Sequence, residues 1–349
     1  FVDYARNWGT NGIEIDSNGL NYQTQDDTYT VEYGTDGTTL HIVYSGATNG
    51  WIPIEDDTVT DAPSKGNQEG IFGFGEGASV TAVTNLVSNT GVVATDTVGV
   101  GTARQMTAAC EYDGDKGIFG YGYSAPSYLS ITNLVSNAGV VASDTAGVGT
   151  ARGNLDACSY GGDKGIFGYG NGLVSMTNLV SNAGVVSSDV TGVGTARQHL
   201  AACEYGGDKG IFGYGGLAYP NVVSITNLVS NAGVVATDTT GVGTARREIA
   251  ACGYGYDKGI FGFGTAASVT AVTNLVSNAG VVSSDVAGVG TARKTLAATQ
   301  YGQDKGIFGY GTTGSVTAVT NLVSNAGVVA TDVAGVGTAR AGPGACSFN

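Results

Sequence analysis

One six-residue motif, Gly-Ile-Phe-Gly-(Tyr/Phe)-Gly, recurs six times along the chain at steps of 45 to 49 residues. Each copy is followed by a Thr-Asn-Leu-Val (TNLV) block and then by Gly-Thr-Ala-Arg (GTAR). The Arg always lies 19 residues after the Asn of TNLV and 13 before the next motif, so only the segment between motif and TNLV changes length. Such a period predicts one supersecondary unit per repeat, packed against its neighbours. The copies begin at Gly70, Gly117, Gly165, Gly210, Gly259 and Gly306.

Each repeat contains four stretches that predict β-strands bounded by turn residues. We label them a, b, c and d, after the stretches TAACEY, GIFGYG, SITNLV and GVVATD. Residues 113–117 predict a tight a–b hairpin, and residues 136–139 predict another between c and d. The chain has 59 Gly and only 13 % charged residues, a composition that disfavours helix. Four short strands in about 45 residues are typical of a propeller blade.

The two ends of the repeat region differ in phase. The first repeat lacks an a strand, whereas residues 344–349 align with strand a and follow the last repeat. In a ring, this spare strand completes the first blade and removes two open sheet edges. We therefore predict an all-β protein whose residues 67–349 form a six-bladed β-propeller with four strands per blade, closed by the C-terminal strand.

Residues 1–66 differ from the repeats and predict a small β-rich attachment or linker region. Alternating residues at 29–34 and 39–45 flank Thr-Asp-Gly at 35–37, which predicts a β-hairpin. Pro53 and the acidic run at 55–57 are expected to lead into a linker at 61–65. This region is either a cap on the ring or a module that attaches it to something else. The chain begins at Phe1 without a signal peptide, so we expect a processed or truncated piece of a longer protein.

Charge and hydropathy exclude two classes of partner. The formal net charge is −14, whereas binding to nucleic acid needs clustered Lys and Arg. The sequence contains no run of 18 apolar residues, so we expect no membrane insertion.

The repeated aromatic and cysteine residues predict core. Aromatic residues alternate with Gly in strand b, so a ring of one blade is expected to pack over a glycine of the next, with carbohydrate stacking as the alternative. Five cysteines occupy one repeat position and should be too far apart for disulfides. They are Cys110, Cys158, Cys203, Cys252 and Cys346.

The GTAR arginines form a set of six with two interpretations. An Asp lies eight residues before each Arg, which favours an Asp–Arg or Arg–backbone contact that braces the d–a loop. Alternatively, the guanidinium groups form a ring at the channel mouth that binds carboxylate or sulfate. The set is Arg104, Arg152, Arg197, Arg246, Arg293 and Arg340.

Catalytic and metal-binding patterns find no support in the sequence. The two histidines, His41 and His199, are far apart in sequence and unrepeated, so no Ser/His/Asp arrangement has a basis. The cysteines lack metal-ligand spacing. Asp113-Gly114-Asp115 resembles part of a calcium loop, but other repeats carry Gly-Gly-Asp there. We expect no cofactor, no metal and no catalysis.

Two segments carry a resemblance to known proteins. The run from Arg197 to Gly215 resembles a kelch propeller repeat, and the repeats are most similar to kelch-like repeats in tail and fibre proteins of marine and cyanobacterial phages. In those proteins, segments similar to residues 41–53 precede the propeller. The resemblance implies an extracellular virion-surface adhesin that binds a host cell-surface glycan or protein. It also implies contacts with other fibre proteins through residues 1–66 and, on a fibre, a homotrimer.

Variable segments indicate where such a protein would bind its ligand. The b–c loops and the residues just after GTAR differ between repeats, and blade topology places both on one face. The opposite face, to which we expect residues 1–66 to attach, carries near-identical turns. The two rival functions are a purely structural virion component and a surface-glycan lyase or hydrolase. Our candidate ligand-binding residues are Tyr123, Tyr128, Tyr219, Asn171, Asn221, His199 and Arg247.

Overall fold

A computed structural model of the protein describes residues 1–24, 31–58 and 68–349. All regular secondary structure in these residues is β, and they contain no helix of the length and apolar character needed to cross a bilayer. The chain divides into two compact units, Phe1–Ser64 and Lys65–Asn349. The boundary that the sequence predicts after residue 66 and the linker at 61–65 lie outside the described residues.

The described part of the first unit, residues 1–24 and 31–58, contains two antiparallel strand pairs. Strand β1 (Ile13–Ile15) pairs with β2 (Val31–Tyr33), and β3 (Thr38–Tyr44) pairs with β4 (Trp51–Thr58). The predicted hairpin of residues 29–34 with 39–45 is therefore wrong, because its two strands belong to different sheets. Pro53 and the acidic run lie inside β4, and the linker into which they were expected to lead falls outside the described residues.

A glycine turn explains why β3 pairs forward along the chain. Gly46 and Gly50 both have positive φ, and the Gly50 N–H donates to the Gly46 carbonyl at 2.7 Å. The turn returns the chain onto β3 and sets the ring of Trp51 5.5 Å from that of Tyr44. Alternation of residue types predicts that a segment is a strand, but the geometry of the turn determines which strand it pairs with.

The second unit consists of six three-stranded antiparallel sheets and one two-stranded loop ribbon. Its strands are β5 (Glu69–Gly73), β6 (Thr84–Val87), β7 (Ala108–Tyr112), β8 (Lys116–Gly120), β9 (Tyr123–Ser124), β10 (Ser127–Tyr128), β11 (Thr132–Val135), β12 (Asp156–Tyr160), β13 (Lys164–Gly168), β14 (Thr177–Val180), β15 (Ala201–Tyr205), β16 (Lys209–Gly213), β17 (Thr226–Val229), β18 (Ala250–Tyr254), β19 (Lys258–Gly262), β20 (Thr273–Val276), β21 (Ala297–Tyr301), β22 (Lys305–Gly309), β23 (Thr320–Val323) and β24 (Gly344–Phe348).

Strands a, b and c of each repeat pair in that order, with b in the middle. We number the sheets by their middle strands: sheet 1 is β24–β5–β6, sheet 2 is β7–β8–β11, and sheets 3 to 6 are β12–β13–β14, β15–β16–β17, β18–β19–β20 and β21–β22–β23. The fold is thus a tandem array of β-blade units, as the period predicts.

Sheet 1 takes its first strand from the C-terminus. β24 pairs with β5 from Gly344 opposite Gly73 to Phe348 opposite Glu69. The Gln68 N–H donates to the Asn349 carbonyl at 2.9 Å. This pairing confirms the assignment of residues 344–349 as a spare a strand.

Contacts pass from every sheet to the next and from the last back to the first. The first strands touch in the order β7, β12, β15, β18, β21 and β24, and β24 touches β7. At the a–b turns, one backbone N–H per sheet donates to a carbonyl of the following sheet at 2.7 to 2.9 Å. The donor and acceptor pairs are Asp113–Asp163, Gly161–Asp208, Gly206–Asp257, Gly255–Asp304, Gly302–Gln68 and Asn349–Asp115.

The predicted d strand is not a continuous strand. Each d segment meets the third strand at only two isolated bridges, which in sheet 1 join Val87 to Val93 and Thr84 to Thr97. Between them the Asn85 side chain donates to the Ala94 carbonyl at 3.0 Å and to Asp96 at 2.9 Å. The Ala94 N–H still donates to the Leu86 carbonyl at 2.8 Å, so the Asn85 side chain takes only the Ala94 carbonyl out of the backbone ladder. The d segment is therefore irregular, and each sheet has three regular strands instead of the four that were predicted.

Small residues let neighbouring sheets approach closely. A Cβ added to Gly120 would lie 2.6 Å from Cζ of Phe167 in the next sheet, and one added to Gly165 would lie 2.5 Å from Sγ of Cys110. The same ring-over-glycine contact recurs in all six sheets, which confirms the predicted packing. All five cysteines are free and buried, as expected, and burial raises the pKa of Cys252 to about 12.

The second aromatic residue of each motif lies just beyond strand b, in left-handed backbone with φ between 61° and 64°. Bulky residues rarely adopt this conformation. The ring of Tyr121 is held between the guanidinium of Arg152, 4.4 Å from its centroid, and the edge of Phe167, 5.2 Å away. These contacts offset the strain. The six rings are fully buried, which excludes them from carbohydrate stacking.

Candidate functional site

The two variable sets of segments lie side by side at one end of the sheets, which we call the loop end. Isolated bridges join the residue after GTAR to the b–c loop of the next repeat. The bridged pairs are Gln105–Tyr123, Gln198–Gly216, Arg247–Thr265, Lys294–Thr312 and Ala341–Glu76. The prediction that both sets share one end is therefore confirmed.

The opposite end, which we call the turn end, holds the a–b and c–d turns. In sheets 2 to 6 the Asn of the c–d turn donates to the Asp of the a–b turn in its own repeat, as Asn137 does to Asp115 at 3.2 Å and Asn325 to Asp304 at 3.0 Å. The turn lysines bind Asp neighbours, and Lys305 lies 2.7 Å from Asp304. Near-identical turns thus make near-identical contacts.

Six residues, one from each repeat, form a backbone ring at the loop end that we call the mouth ring. All have φ between 49° and 60°, and five N–H groups donate to the preceding member at 2.8 to 3.0 Å. Each repeat contributes a different side chain to this shared backbone geometry. The members are Met106, Asn154, His199, Glu248, Thr295 and Gly342.

The mouth ring and the six first strands line a central cavity of about 210 Å³. Three carboxylic acids on first strands face it, Glu111, Asp156 and Glu204. The Ala202 N–H donates to Asp156 at 2.7 Å. The Ser159 hydroxyl donates to Glu204 at 2.9 Å.

Burial changes the protonation of the cavity acids. It raises the pKa of Asp156 to about 7, although backbone N–H donors oppose the shift. It also raises the pKa of Glu111, against a hydrogen bond from Ser347. The cavity therefore contains carboxylic acids whose burial favours the protonated form.

Glu248 is the charged member of the mouth ring. Burial opposes its ionisation, but hydrogen bonds from Lys294 and Thr265 outweigh burial and hold its pKa below the ordinary value. Lys294 Nζ lies 3.1 Å from its carboxylate and the Thr265 hydroxyl 2.9 Å. Burial lowers the pKa of His199, so its imidazole is neutral at pH 7.

Arg247 and Tyr219 form an exposed pair beside this cluster. The guanidinium carbon of Arg247 lies 5.0 Å from the ring centroid of Tyr219, whose side chain is 80 % exposed. The aliphatic stem of Arg247 packs on Gly216, where an added Cβ would lie 3.2 Å from Cδ. Two predicted site residues are thus brought together.

The remaining predicted residues are dispersed. Tyr123 and Tyr128 pack together at 4.9 Å on the ribbon of sheet 2, and Tyr128 is 38 % exposed. Sheet 3 separates this pair from Tyr219, which belongs to sheet 4. Asn171 accepts a hydrogen bond from the Gly153 N–H at 2.7 Å, and Asn221 is exposed at the end of a loop.

All six GTAR arginines are buried, with side chains 0 to 1 % exposed. The Arg104 guanidinium stacks 4.0 Å from the ring of Phe74. Its N–H groups donate at 2.7 Å to the Tyr121 carbonyl and to Asn133 of the next sheet. These contacts favour the bracing role over the guanidinium ring at a channel mouth.

The Asp predicted to brace the d–a loop does so between repeats. Asp144 accepts from the Thr102 N–H at 3.1 Å and from its hydroxyl at 2.6 Å, and Thr102 belongs to the preceding repeat. At the seam Thr338 binds Asp96 in the same way, with 2.5 Å between their side-chain oxygens. The constant spacing of Asp and Arg along the chain therefore predicted that the Asp braces a d–a loop, but not that the loop belongs to the preceding repeat.

The cavity acids were missed by the sequence analysis. A signal was available for two of them, because the first-strand position that Glu111 and Glu204 occupy differs strongly between repeats. It holds Glu111, Ser159, Glu204, Gly253, Gln300 and Ser347. Among the residues that the structure describes, no group of three or more His, Cys, Asp or Glu side chains is arranged to hold a metal ion.

Comparison with known proteins adds no family to this description. The chain matches no protein-family model, and it has no significant match among curated proteins.

Proposed function

We propose that the second unit is a closed six-bladed β-propeller and serves as a non-catalytic binding module. Support for the ring comes from the pairing of β24 with β5 and from the contacts that lead from sheet 6 back through sheet 1. A ring of sheets leaves few unpaired sheet edges, so other chains find few places at which to add a strand.

The proposed binding role rests on the structure of the loop end. Its backbone is fixed by bridges and by the mouth ring, whereas its side chains differ from repeat to repeat. A rigid scaffold that presents varied loops is a common design for recognition. The exposed tyrosines there have the amphipathic rings that anchor recognition surfaces. The ligand in this proposal is a glycan or protein on a cell surface.

The test compares exposed tyrosines at the loop end with an exposed tyrosine at the turn end. Tyr128→Ala combined with Tyr219→Ala removes two rings at the loop end, and Tyr256→Ala removes a ring that is 47 % exposed on an a–b turn. We expect the double variant to lose binding to an array of bacterial surface glycans, measured with the labelled full chain, while its melting temperature is unchanged. The Tyr256→Ala variant should bind normally.

Three outcomes would overturn this proposal. The binding surface is elsewhere if the double variant binds normally, or if Tyr256→Ala abolishes binding. A native chain that binds no glycan and no cell would instead be a structural component. Release of soluble fragments from a bound glycan would make it a lyase or hydrolase.

The setting on a phage appendage rests on the resemblance of the repeats and of residues 41–53 to tail and fibre proteins. In this setting residues 1–66 bind other fibre proteins, and the assembly is a homotrimer. Immunogold labelling of phage particles that encode the chain should mark their tail fibres, and light scattering of the full chain should give three copies. Unlabelled particles would contradict the setting without affecting the binding role.

A further inference from the structure

Arg247 differs from every other cation in residues 68–349. The six GTAR arginines donate hydrogen bonds inside the protein, the five turn lysines bind Asp, and Lys294 binds Glu248. Within the described residues, the Arg247 guanidinium contacts only the ring of Tyr219 and forms no hydrogen bond or ion pair. A protein with a formal net charge of −14 thus keeps one Arg that has neither an ion pair nor a hydrogen bond within the described residues.

The side chain of Arg247 is nevertheless held in place. Its stem packs on Gly216, and its guanidinium carbon lies over the ring of Tyr219, 5.0 Å from the centroid. A contact with an aromatic ring uses none of the guanidinium's hydrogen bonds to oxygen acceptors, so its N–H groups remain available to a ligand. Preorganisation of this kind lowers the entropy that a ligand must overcome.

The charges around Arg247 favour an anion. Its acidic neighbour Glu248 is already bound by Lys294 and Thr265. His199, the other titratable neighbour, is neutral because burial lowers its pKa. Within the described residues Arg247 therefore has no carboxylate partner, and the carboxylate of a ligand can accept two parallel N–H···O bonds from its guanidinium.

The exposed ring of Tyr219 indicates which class of ligand would bring a carboxylate to Arg247. Its side chain is 80 % exposed although one side of the ring contacts Arg247. Aromatic rings exposed in this way can pack against the apolar face of a sugar. An aromatic ring beside an unpaired guanidinium suits a pyranose that bears a carboxylate better than a flexible acidic peptide, which offers no such face.

We propose that Arg247 and Tyr219 form a recognition site for an acidic sugar, with Arg247 binding its carboxylate and Tyr219 stacking on its ring. This inference rests on the proposed role of the loop end as a ligand-binding surface and names the class of ligand.

The test uses a hexamer of galacturonate and its methyl ester as probes, because esterification removes the charge and keeps the sugar. In titration calorimetry with the full chain, we expect the acid to bind at least tenfold more tightly than the ester. Arg247→Gln should abolish this difference, and Tyr219→Ala should weaken both probes. Tyr219→Phe should retain binding, since it keeps the ring. Lys258→Gln, which removes an exposed cation from the turn end, is the matched control and should change nothing.

Each other outcome decides against the inference. If both probes bind equally, or if Arg247→Gln keeps the preference for the acid, the loop end can still be a binding surface but Arg247 does not read a carboxylate. Binding of a polyglutamate peptide as tight as that of the acid would assign the site to acidic protein segments. If neither probe binds while other glycans do, the ligand class is wrong and the proposed function stands. If no glycan binds, both fail.

Discussion

The turn end and the loop end are formed by the same six repeats, but the side chains recur at the turn end and vary at the loop end. At the turn end nearly the same Asp, Lys and Asn recur, and each carboxylate is used within the sheet, as Asp304 is by Lys305 and Asn325. At the loop end the backbone recurs and the side chains do not. The mouth ring holds six different residues at one left-handed position.

This difference separates structure from recognition. Residues that hold one sheet against the next must repeat, because each junction poses the same geometric problem. Residues that are free of this demand can differ, as Arg247 and Tyr219 do.

Removal of residues 341–349 should damage the fold most. It takes away β24, leaves an edge of β5 unpaired and breaks contacts with both neighbouring first strands. We expect the melting temperature in scanning calorimetry to fall by about 10 °C or more. A synthetic peptide of the deleted sequence should restore part of the loss. An unchanged melting temperature would mean that the C-terminal strand closes nothing.

Two arginines should respond differently to the same substitution. Arg104→Met leaves the Tyr121 carbonyl and the Asn133 side chain without their buried donor, which should cost about 3 kcal/mol in urea unfolding. Arg247→Met should change the free energy of unfolding by less than about 0.5 kcal/mol, because no hydrogen bond inside the protein is lost. Equal losses would show that the loop end is as structural as the junctions.

The glycines of strand b should tolerate no side chain. Gly120→Ala places a Cβ 2.6 Å from Phe167, and we expect a loss of about 2 kcal/mol from overpacking. Phe167→Leu in the same chain should recover part of it, so a double-mutant cycle should give a coupling energy of about 1 kcal/mol. Additive losses would show that the ring does not cover the glycine.

Asp156 should make stability depend on pH. Its pKa is about 7 in the folded protein against 3.8 ordinarily, so folding favours the protonated acid. The stability that this proton supplies is complete below pH 4 and is lost as pH rises through 7. Asp156→Ala introduces the residue that four other repeats carry at this position. We expect urea unfolding to show that the variant is more stable relative to the native chain at pH 8 than at pH 4. The same difference at both pH values would contradict the shift.

Much of the architecture followed from the sequence because it is local or periodic. The spacing of motif, TNLV and GTAR predicted one blade unit per repeat, and the turn residues at 113–115 predicted the a–b hairpin that β7 and β8 form. The phase of residues 344–349 predicted the partner of β5. Both variable sets were placed at one end because antiparallel order allows no other arrangement.

The predictions that were wrong required a choice between possible pairing partners that the sequence does not distinguish. The alternation at 29–34 and 39–45 marked β2 and β3, but paired them wrongly. The d segment has strand composition, yet the side chain of Asn85 takes the Ala94 carbonyl out of its ladder. For the candidate site, Tyr219 and Arg247 were predicted separately, whereas the cavity acids were not predicted at all.

The repeat, its turns and its C-terminal strand followed from the sequence, since these depend on residues close together or on a fixed period. Packing between sheets sets the contacts that the sequence did not predict: Asp144 binds the loop of the preceding repeat, the GTAR arginines are buried, and Arg247 forms no ion pair within the described residues. These facts depend on which side chains of different sheets meet. Thr338 and Asp96 are 242 residues apart in sequence and form a hydrogen bond, because packing and not chain order sets their distance.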